Sequence, residues 1–363
     1  MAGEKVHLTR EKETLLITVY GKALESRRPD SLLQDRFADE AVRRIDYDFA
    51  RLKVDDNLAV SLAIRAKALD DWTSAFLAMH PNAIVLHLGC GLDTRVFRID
   101  PPPGVDWFDV DYPKVIELRR KLFPPRDHTH LIASSVTEPG WLDAVPGNRP
   151  AMIVAEGLTP YLAADEGPKL FARLVSHLAG GELVCDAYSD LGLKFVRSSP
   201  TFRATGAELH WAINDPRELE QAAPGLRLVE ETSAYKPEHA ARVSWFAGLI
   251  FRLWSHIPAL RKVGRLLRFQ FDDQRALAVA SAREKAAAKL SREAGSRKDP
   301  IDTICPCAST AILVMPISAW RAIEKRAQNG LKRCASDLPE GAVLRMSRVV
   351  RDTDTSSRAR AAR

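Results

Sequence analysis

Hydrophobic positions change their period along the chain. From Glu13 to Asp71 they recur at helical spacing, with Leu15, Leu16 and Val19 on one stripe. Arg28-Pro29-Asp30 breaks the pattern and Leu32, Leu33, Phe37 and Ala38 resume it, which predicts a mostly helical N-terminal layer. From Ile84 the pattern turns to short apolar runs. Ile84 to Leu88 carries no Pro or Gly and reads as a central parallel strand buried on both faces. Trp107 to Val110, His130 to Ser134, Ala151 to Ala155 and Glu182 to Ala187 read as further strands. Lys114 to Leu122 and Asp165 to Ala179 read as helices between them, the second ended by Gly180-Gly181. Leu226 to Glu231 reads as a sixth strand, and Arg268 to Phe271 fits a closing antiparallel one. Strands alternating with helices place the chain in the α/β class.

The junction after the first strand carries the chemistry. Gly89-Cys90-Gly91 stops the strand, and residues without Cβ permit a tight turn and a close ligand approach. The second strand ends in Asp109 and Asp111, and a carboxylate at that tip accepts hydrogen bonds from ribose hydroxyls in βαβ units. Where a dinucleotide fingerprint has its third glycine, Thr94 stands, preceded by Asp93. A carboxylate there repels pyrophosphate. It suits a ligand with an adenosine end, no phosphates, an ammonium and a sulfonium, which describes S-adenosylmethionine. A structural turn is the plain alternative.

Three ordered blocks, Val85 to Arg95, Asp109 to Pro113 and Val154 to Leu162, resemble the signature blocks of the leucine carboxyl methyltransferase family. The closer resemblance is to its bacterial branch, the O-methyltransferases of polyketide biosynthesis, and it runs from about Glu13 to Phe271. It implies a Rossmann-like, seven-stranded class I methyltransferase sheet with an N-terminal helical layer, a substrate cap and antiparallel last strands. It implies that Arg65 reaches the methionine carboxylate, which a guanidinium binds bidentately, with Lys67 as a second basic position. An arginine paired with Asp70 or Glu40 on a helix surface is the bland reading of the same residue. Gly89, Gly91, Asp93, Asp111 and Glu156 are expected around the cofactor, Glu156 on the ammonium. Ser135 replaces the aspartate that many relatives place by the adenine amine, and Val136 follows it. Asp186, Tyr161 and His210 are the candidates for acid–base chemistry or acceptor contact.

The resemblance divides the chain into a helical cap (1–80), a core with substrate lid (81–272) and an appendage (273–363). Leu191 to Ala212 reads as a variable lid with Phe195, Phe202, His210 and Trp211. Asp215 and Pro216 are placed to start a helix. Ser244 to Phe271 is apolar, aromatic and basic, which fits either a cap over a greasy pocket or a helix on a membrane surface. Beyond Arg292 the family pattern is lost; a helix from Ala276 to Glu293, a strand from Ala311 to Met315, a helix from Ile317 to Gln328 and a disordered tail are expected.

Composition narrows this picture little. The 363 residues carry a net charge of +6, and the basic excess falls after residue 282. It is therefore poor evidence that the folded part binds nucleic acid. Five cysteines are too few and scattered for a disulfide framework, and Cys305-Pro306-Cys307 lacks the second pair or histidines of a zinc site, so no metal is expected. No apolar run reaches the length of a membrane span and Met1 to Arg10 is polar, so the cytoplasm is the expected compartment. The activity expected is methyl transfer to a hydroxyl or carboxylate oxygen of a small aromatic or apolar acceptor. A nicotinamide-dependent oxidoreductase and a non-catalytic adenosine-ligand or membrane-associated protein are the rivals.

Overall fold

Every side chain of Ile84–Leu88, here β1, is buried, as expected of a strand sandwiched between helical layers. The computed structural model describes residues 4–5, 14–233 and 237–272. The strands that follow are β2 Asp106–Asp111, β3 Thr129–Ala133, β4 Ala151–Ala155, β5 Gly180–Tyr188, β6 Leu226–Ser233 and β7 Gly264–Asp272. They form a seven-stranded sheet in the order β3-β2-β1-β4-β5-β7-β6. The first five run parallel and β7 is antiparallel to both neighbours. The chain winds outward from β1 through β2 to β3, then returns to β4 on the other side. That reversal opens a crevice beyond the carboxyl ends of β1 and β4, where open parallel sheets bind their ligands.

Side-chain alternation sorts the core. Leu86 joins Ile153, Leu183 and Phe269 on one face, packed with Leu170, Phe171 and Leu174 of helix Glu166–His177. Val85, Met152, Val154 and Val184 turn to the other face, against Leu69, Phe76 and Leu77. Those three belong to helix Asp56–Met79, which starts where the Asp55 carboxylate accepts from Leu58 N at 2.8 Å. Helix Thr14–Ser26 crosses it closely, since a Cβ on Gly21 would come within 2.5 Å of Leu62 Cδ1. We label the helices α1 Thr14–Ser26, α2 Arg36–Arg44, α3 Asp56–Met79, α4 Arg95–Ile99, α5 Pro113–Leu122, α6 Glu166–His177, α7 Asp190–Ser198 and α8 Trp245–His256. Each large apolar side chain buried in these layers contributes about 1.5–3 kcal/mol.

Two expectations are corrected. The closing strand spans Gly264–Asp272 and is longer than Arg268 to Phe271. Its arginines are neutralised within the sheet: Arg268 donates to both oxygens of Glu182 at 2.8 Å, and Arg265 meets Glu231 at 2.9 Å, so the basic run is not a solvated helix face. Among the described side chains none of 244–271 lines the ligand crevice, whereas several of 195–210 in the lid do. In the lid, α7 and the short helix Pro200–Arg203 enclose their own cluster of Leu193, Phe202, Ala207 and Leu209. The lid is tied to the N-terminal layer by Thr201 Oγ1, which donates to Lys53 O at 3.0 Å. The helix expected at Asp215 begins at Arg217, with the Asp215 carboxylate accepting from Arg217 N at 3.0 Å.

The helix, strand and tail expected beyond residue 272, and Cys305-Pro306-Cys307, lie outside the described residues. Among the described residues no helix is long and apolar enough to cross a membrane, and no group of three His, Cys, Asp or Glu side chains is disposed to hold a metal.

Candidate active site

The turn after β1 is strained in the way glycine tolerates. Gly89 and Gly91 have φ of +59° and +50°, and a Cβ on Gly89 would sit 3.0 Å from Leu158 Cδ1. Gly91 N donates to Asp111 Oδ2 at 2.7 Å, tying the turn to the tip of β2. Asp111 also accepts from Tyr112 N at 2.7 Å, yet burial raises its pKa against both hydrogen bonds. Asp109 does not share this role. Its carboxylate is fully buried and bonded to His87 Nδ1 at 3.0 Å, Trp107 Nε1 at 2.9 Å and the Arg119 guanidinium. His87, only 2% exposed, is held by that carboxylate.

Gly89, Gly91 and Asp111 line a cleft of about 920 Å³ at the crevice. Arg65, Asp93, Ser135, Val136, Glu156, Tyr161 and His210 line it as well. Ser135 and Val136, just past β3, flank the Asp111 end; the Ser135 hydroxyl bonds Thr137 Oγ1 at 2.9 Å. Tyr161 and His210 lie at the lid end, where His210 N donates to Pro160 O at 2.7 Å. Asp186 is absent from the lining. Its Oδ2 accepts from Arg65 Nη1 at 3.0 Å and its Oδ1 from Gly157 N at 2.6 Å, so both oxygens are occupied beneath the floor.

The floor is ionic. Arg65 meets Glu156 at 3.1 Å as well as Asp186, and neither of its surface partners considered from sequence. Lys67 stands apart, paired with Asp71 on an exposed face. The second cation of the floor is instead Lys22 of α1, only 2% exposed, with Nζ 3.1 Å from both Asp93 Oδ2 and Glu156 Oε1. Sequence reasoning missed it. A lysine on the buried stripe of Leu15 and Val19, at helical spacing from them, was the available signal.

Arg95 joins Asp70, Asp93 and Glu156, and Arg98 joins Asp35, Asp70 and Asp93. Burial pushes the Glu156 and Asp93 carboxyls up, but the surrounding cations outweigh it and hold both below the usual range. For Glu156 these are Lys22, Arg95 and Arg65; for Asp93 they are Arg98, Lys22 and Arg95. Lys22, Arg65, Arg95 and Arg98 therefore face Asp35, Asp70, Asp93, Glu156 and Asp186, leaving one carboxylate in excess. Asp93 Oδ2 is buried within salt-bridge distance of cations but has no hydrogen bond of good geometry. A cationic ligand bearing one carboxylate fits this floor: Glu156 and Asp93 suit an ammonium, Lys22 and Arg65 a carboxylate. Asp93 lines the cleft beside the glycine turn, where its carboxylate repels a phosphate.

A doubly wound sheet in this strand order, a glycine cradle at its switch point, an acidic tip on β2 and an anionic floor define a class I S-adenosylmethionine-dependent methyltransferase. The family model described as leucine carboxyl methyltransferase matches residues 15–175. The chain is 46% identical over 269 residues to the tetracenomycin polyketide synthesis O-methyltransferase TcmP of Streptomyces glaucescens, covering 74% of this chain and 100% of that one. It is 34% identical over 278 residues to the S-adenosyl-L-methionine-dependent methyltransferase dpfgK of Gibberella zeae, covering 70% of this chain and 93% of that one. The chain belongs to the leucine carboxyl methyltransferase family and is an S-adenosylmethionine-dependent O-methyltransferase. The nicotinamide and non-catalytic readings are thereby set aside.

Proposed function

We propose that the acceptor is a small aromatic, polyketide-like molecule methylated on a phenolic or carboxylic oxygen. The observation that carries this reading is the continuation of the ionic floor into an apolar, aromatic arm. Tyr161, Tyr188, Phe195, Phe202 and Leu209 line that arm and His210 stands among them. The relative named for tetracenomycin polyketide synthesis supports the same acceptor class.

Bound S-adenosylmethionine supplies a methyl group already activated by its sulfonium. Asp111 accepts from the ribose hydroxyls, and Ser135 and Val136 flank the adenine. Lys22 and Arg65 hold the methionine carboxylate, while Glu156 and Asp93 hold the ammonium. Asp186 is a positioning residue, fixing Arg65 from below. The S–CH3 bond breaks as the O–CH3 bond forms, and the electron pair stays on sulfur. Alignment is the protein's main contribution. With a phenol, His210 takes the proton; with a carboxylate no proton moves.

The test combines calorimetry with S-adenosylhomocysteine and a mass-spectrometric methyl-transfer assay on matched phenols and carboxylates. Binding that is lost in Asp111→Ala, with turnover of an aromatic acceptor, is expected. Cofactor binding with no aromatic acceptor accepted would overturn the acceptor class alone. A further proposal concerns α8. Trp245, Phe246 and Leu249 are exposed and α8 carries no acidic residue, which supports peripheral contact with a membrane surface. Liposome sedimentation unchanged in Trp245→Ser/Phe246→Ser would remove it.

A further inference from the structure

Among the described residues, the turn that leaves β3 lines the cleft with hydroxyls rather than carboxylates. Ser134, Ser135 and Thr137 all contribute to the lining and are half-buried, so a ligand reaches them. Glu138 is exposed and does not line the cleft. The carbonyls of the turn are already taken. Val136 O accepts from Trp141 Nε1 at 3.1 Å and Arg173 Nη2 at 2.9 Å, and Ser135 O from Ser134 Oγ at 3.1 Å and Glu138 N at 3.2 Å. A carbonyl oxygen has two lone pairs, so a base lying here finds its acceptors in the hydroxyls.

Ser135 Oγ and Thr137 Oγ1 are 2.9 Å apart, and either can be the donor. A hydroxyl has one proton and two lone pairs. If Ser135 donates to Thr137, the Thr137 proton is left to give outward. Ser135 Oγ, which accepts from Thr137 N at 3.4 Å, then keeps one lone pair for a ligand. If Thr137 donates instead, Ser135 has only its proton to give and Thr137 turns lone pairs outward. Reversing one internal hydrogen bond therefore exchanges donor and acceptor. Purine edges are related in the same way. A 6-aminopurine presents a donor at its amine and an acceptor at N1, whereas a 6-oxopurine presents an acceptor at O6 and a donor at N1.

We propose that the Ser135–Thr137 pair reads the purine edge in both senses, so that the site takes 6-oxopurine forms of the cofactor as well as the 6-amino form. This rests on the placement of Ser135 and Val136 at the adenine. An ionised carboxylate in this turn would have lone pairs only, binding the amine and repelling the carbonyl. A site with such a fixed polar partner discriminates strongly against the mismatched analogue, and two rotatable hydroxyls remove that discrimination. One consequence is that hydrolytic deamination of S-adenosylhomocysteine does not clear the site: the inosyl product competes for it as well.

The test is calorimetric titration of the full chain with S-adenosylhomocysteine and S-inosylhomocysteine. Dissociation constants within about tenfold of each other are expected. In Ser135→Asp the inosyl ligand should weaken by about tenfold or more relative to the adenosyl one. Ser135→Ala/Thr137→Val, which removes both hydroxyls with little change of shape, should weaken both ligands by similar factors. A parental chain that binds the adenosyl ligand more than about tenfold tighter overturns the proposal, because a fixed donor such as Val136 N then sets the edge. In that case the placement of the adenine still stands if the hydroxyl-free variant weakens the adenosyl ligand. Equal binding of both ligands that neither variant disturbs overturns the proposal and the placement together, since the base then lies elsewhere.

Discussion

Lys22→Met deletes an ammonium from the floor of the cleft while keeping most of the apolar stem. In the native chain Nζ sits 3.1 Å from both Asp93 Oδ2 and Glu156 Oε1 and is shut off from solvent. Removing one partner of a buried ion pair costs about 3–5 kcal/mol when the other charge is left alone. Here neither carboxylate is abandoned: Asp93 keeps Arg98 at 2.8 Å and Arg95 at 3.1 Å, and Glu156 keeps Arg65 at 3.1 Å. The loss should fall below that range, at about 2–3 kcal/mol. For a folded unit of this size it corresponds to a Tm lowered by roughly 4–12 °C. The floor also gains negative charge, so the methionine carboxylate loses a cation and gains repulsion. S-adenosylhomocysteine should bind about tenfold more weakly or worse, a change of about 1.4 kcal/mol. Differential scanning calorimetry and titration of the same preparation measure both. A variant with parental Tm and parental affinity would refute the placement of Lys22 in the ionic floor. Lowered Tm with unchanged affinity would confine Lys22 to a structural role.

Other outcomes follow from the same geometry. Asp186→Asn should raise KM for S-adenosylmethionine by about tenfold or more, as expected for losing a charge-assisted hydrogen bond, while kcat changes little; a collapse of kcat with KM unchanged would instead make it the base. His210→Ala should lower kcat by about 10²–10⁴ on a phenol and leave a carboxylic acceptor untouched, so equal losses on both would sink its proton-transfer role. Gly91→Val places a branched side chain at φ +50° with Cβ 3.4 Å from Leu15 Cβ, and should cost at least about 1–2 kcal/mol in urea unfolding. Asp93 and Glu156 have folded pKa values below those of unfolded carboxylates, about 3.9 and 4.3. Their stabilisation is present above that range and lost as pH falls through the folded values, because the unfolded chain then binds more protons. Asp111, raised by burial, acts in the opposite sense, its cost appearing as pH rises past its unfolded value. Urea titrations between pH 6 and 3 should show a net loss of stability on acidification, and a flat profile would contradict the two depressed carboxyls.

How much of this was legible in sequence depended on whether a property is local. The apolar run of β1, the glycines after it, the acidic tip of β2 and the two residues after β4 are each contiguous, and backbone sterics and side-chain alternation bind them to their place. Alternating strands and helices determined the doubly wound class, and three blocks of residues determined the family. The ends of the elements were less legible. Nothing near Arg265 and Arg268 in sequence announces Glu231 and Glu182, which neutralise them from other strands.

The floor of the site was decided by the tertiary structure. Lys22, Arg65, Arg95, Glu156 and Asp186 come from separate elements, and no local pattern distinguishes a lysine turned into a cleft from one turned to solvent. The same holds for the two carboxylates of β2. They share one face of the strand, yet Asp111 reaches the cleft while Asp109 is taken by His87, Trp107 and Arg119. A charge is recognised by what lies within a few ångströms of it, and only the folded chain brings those groups that close.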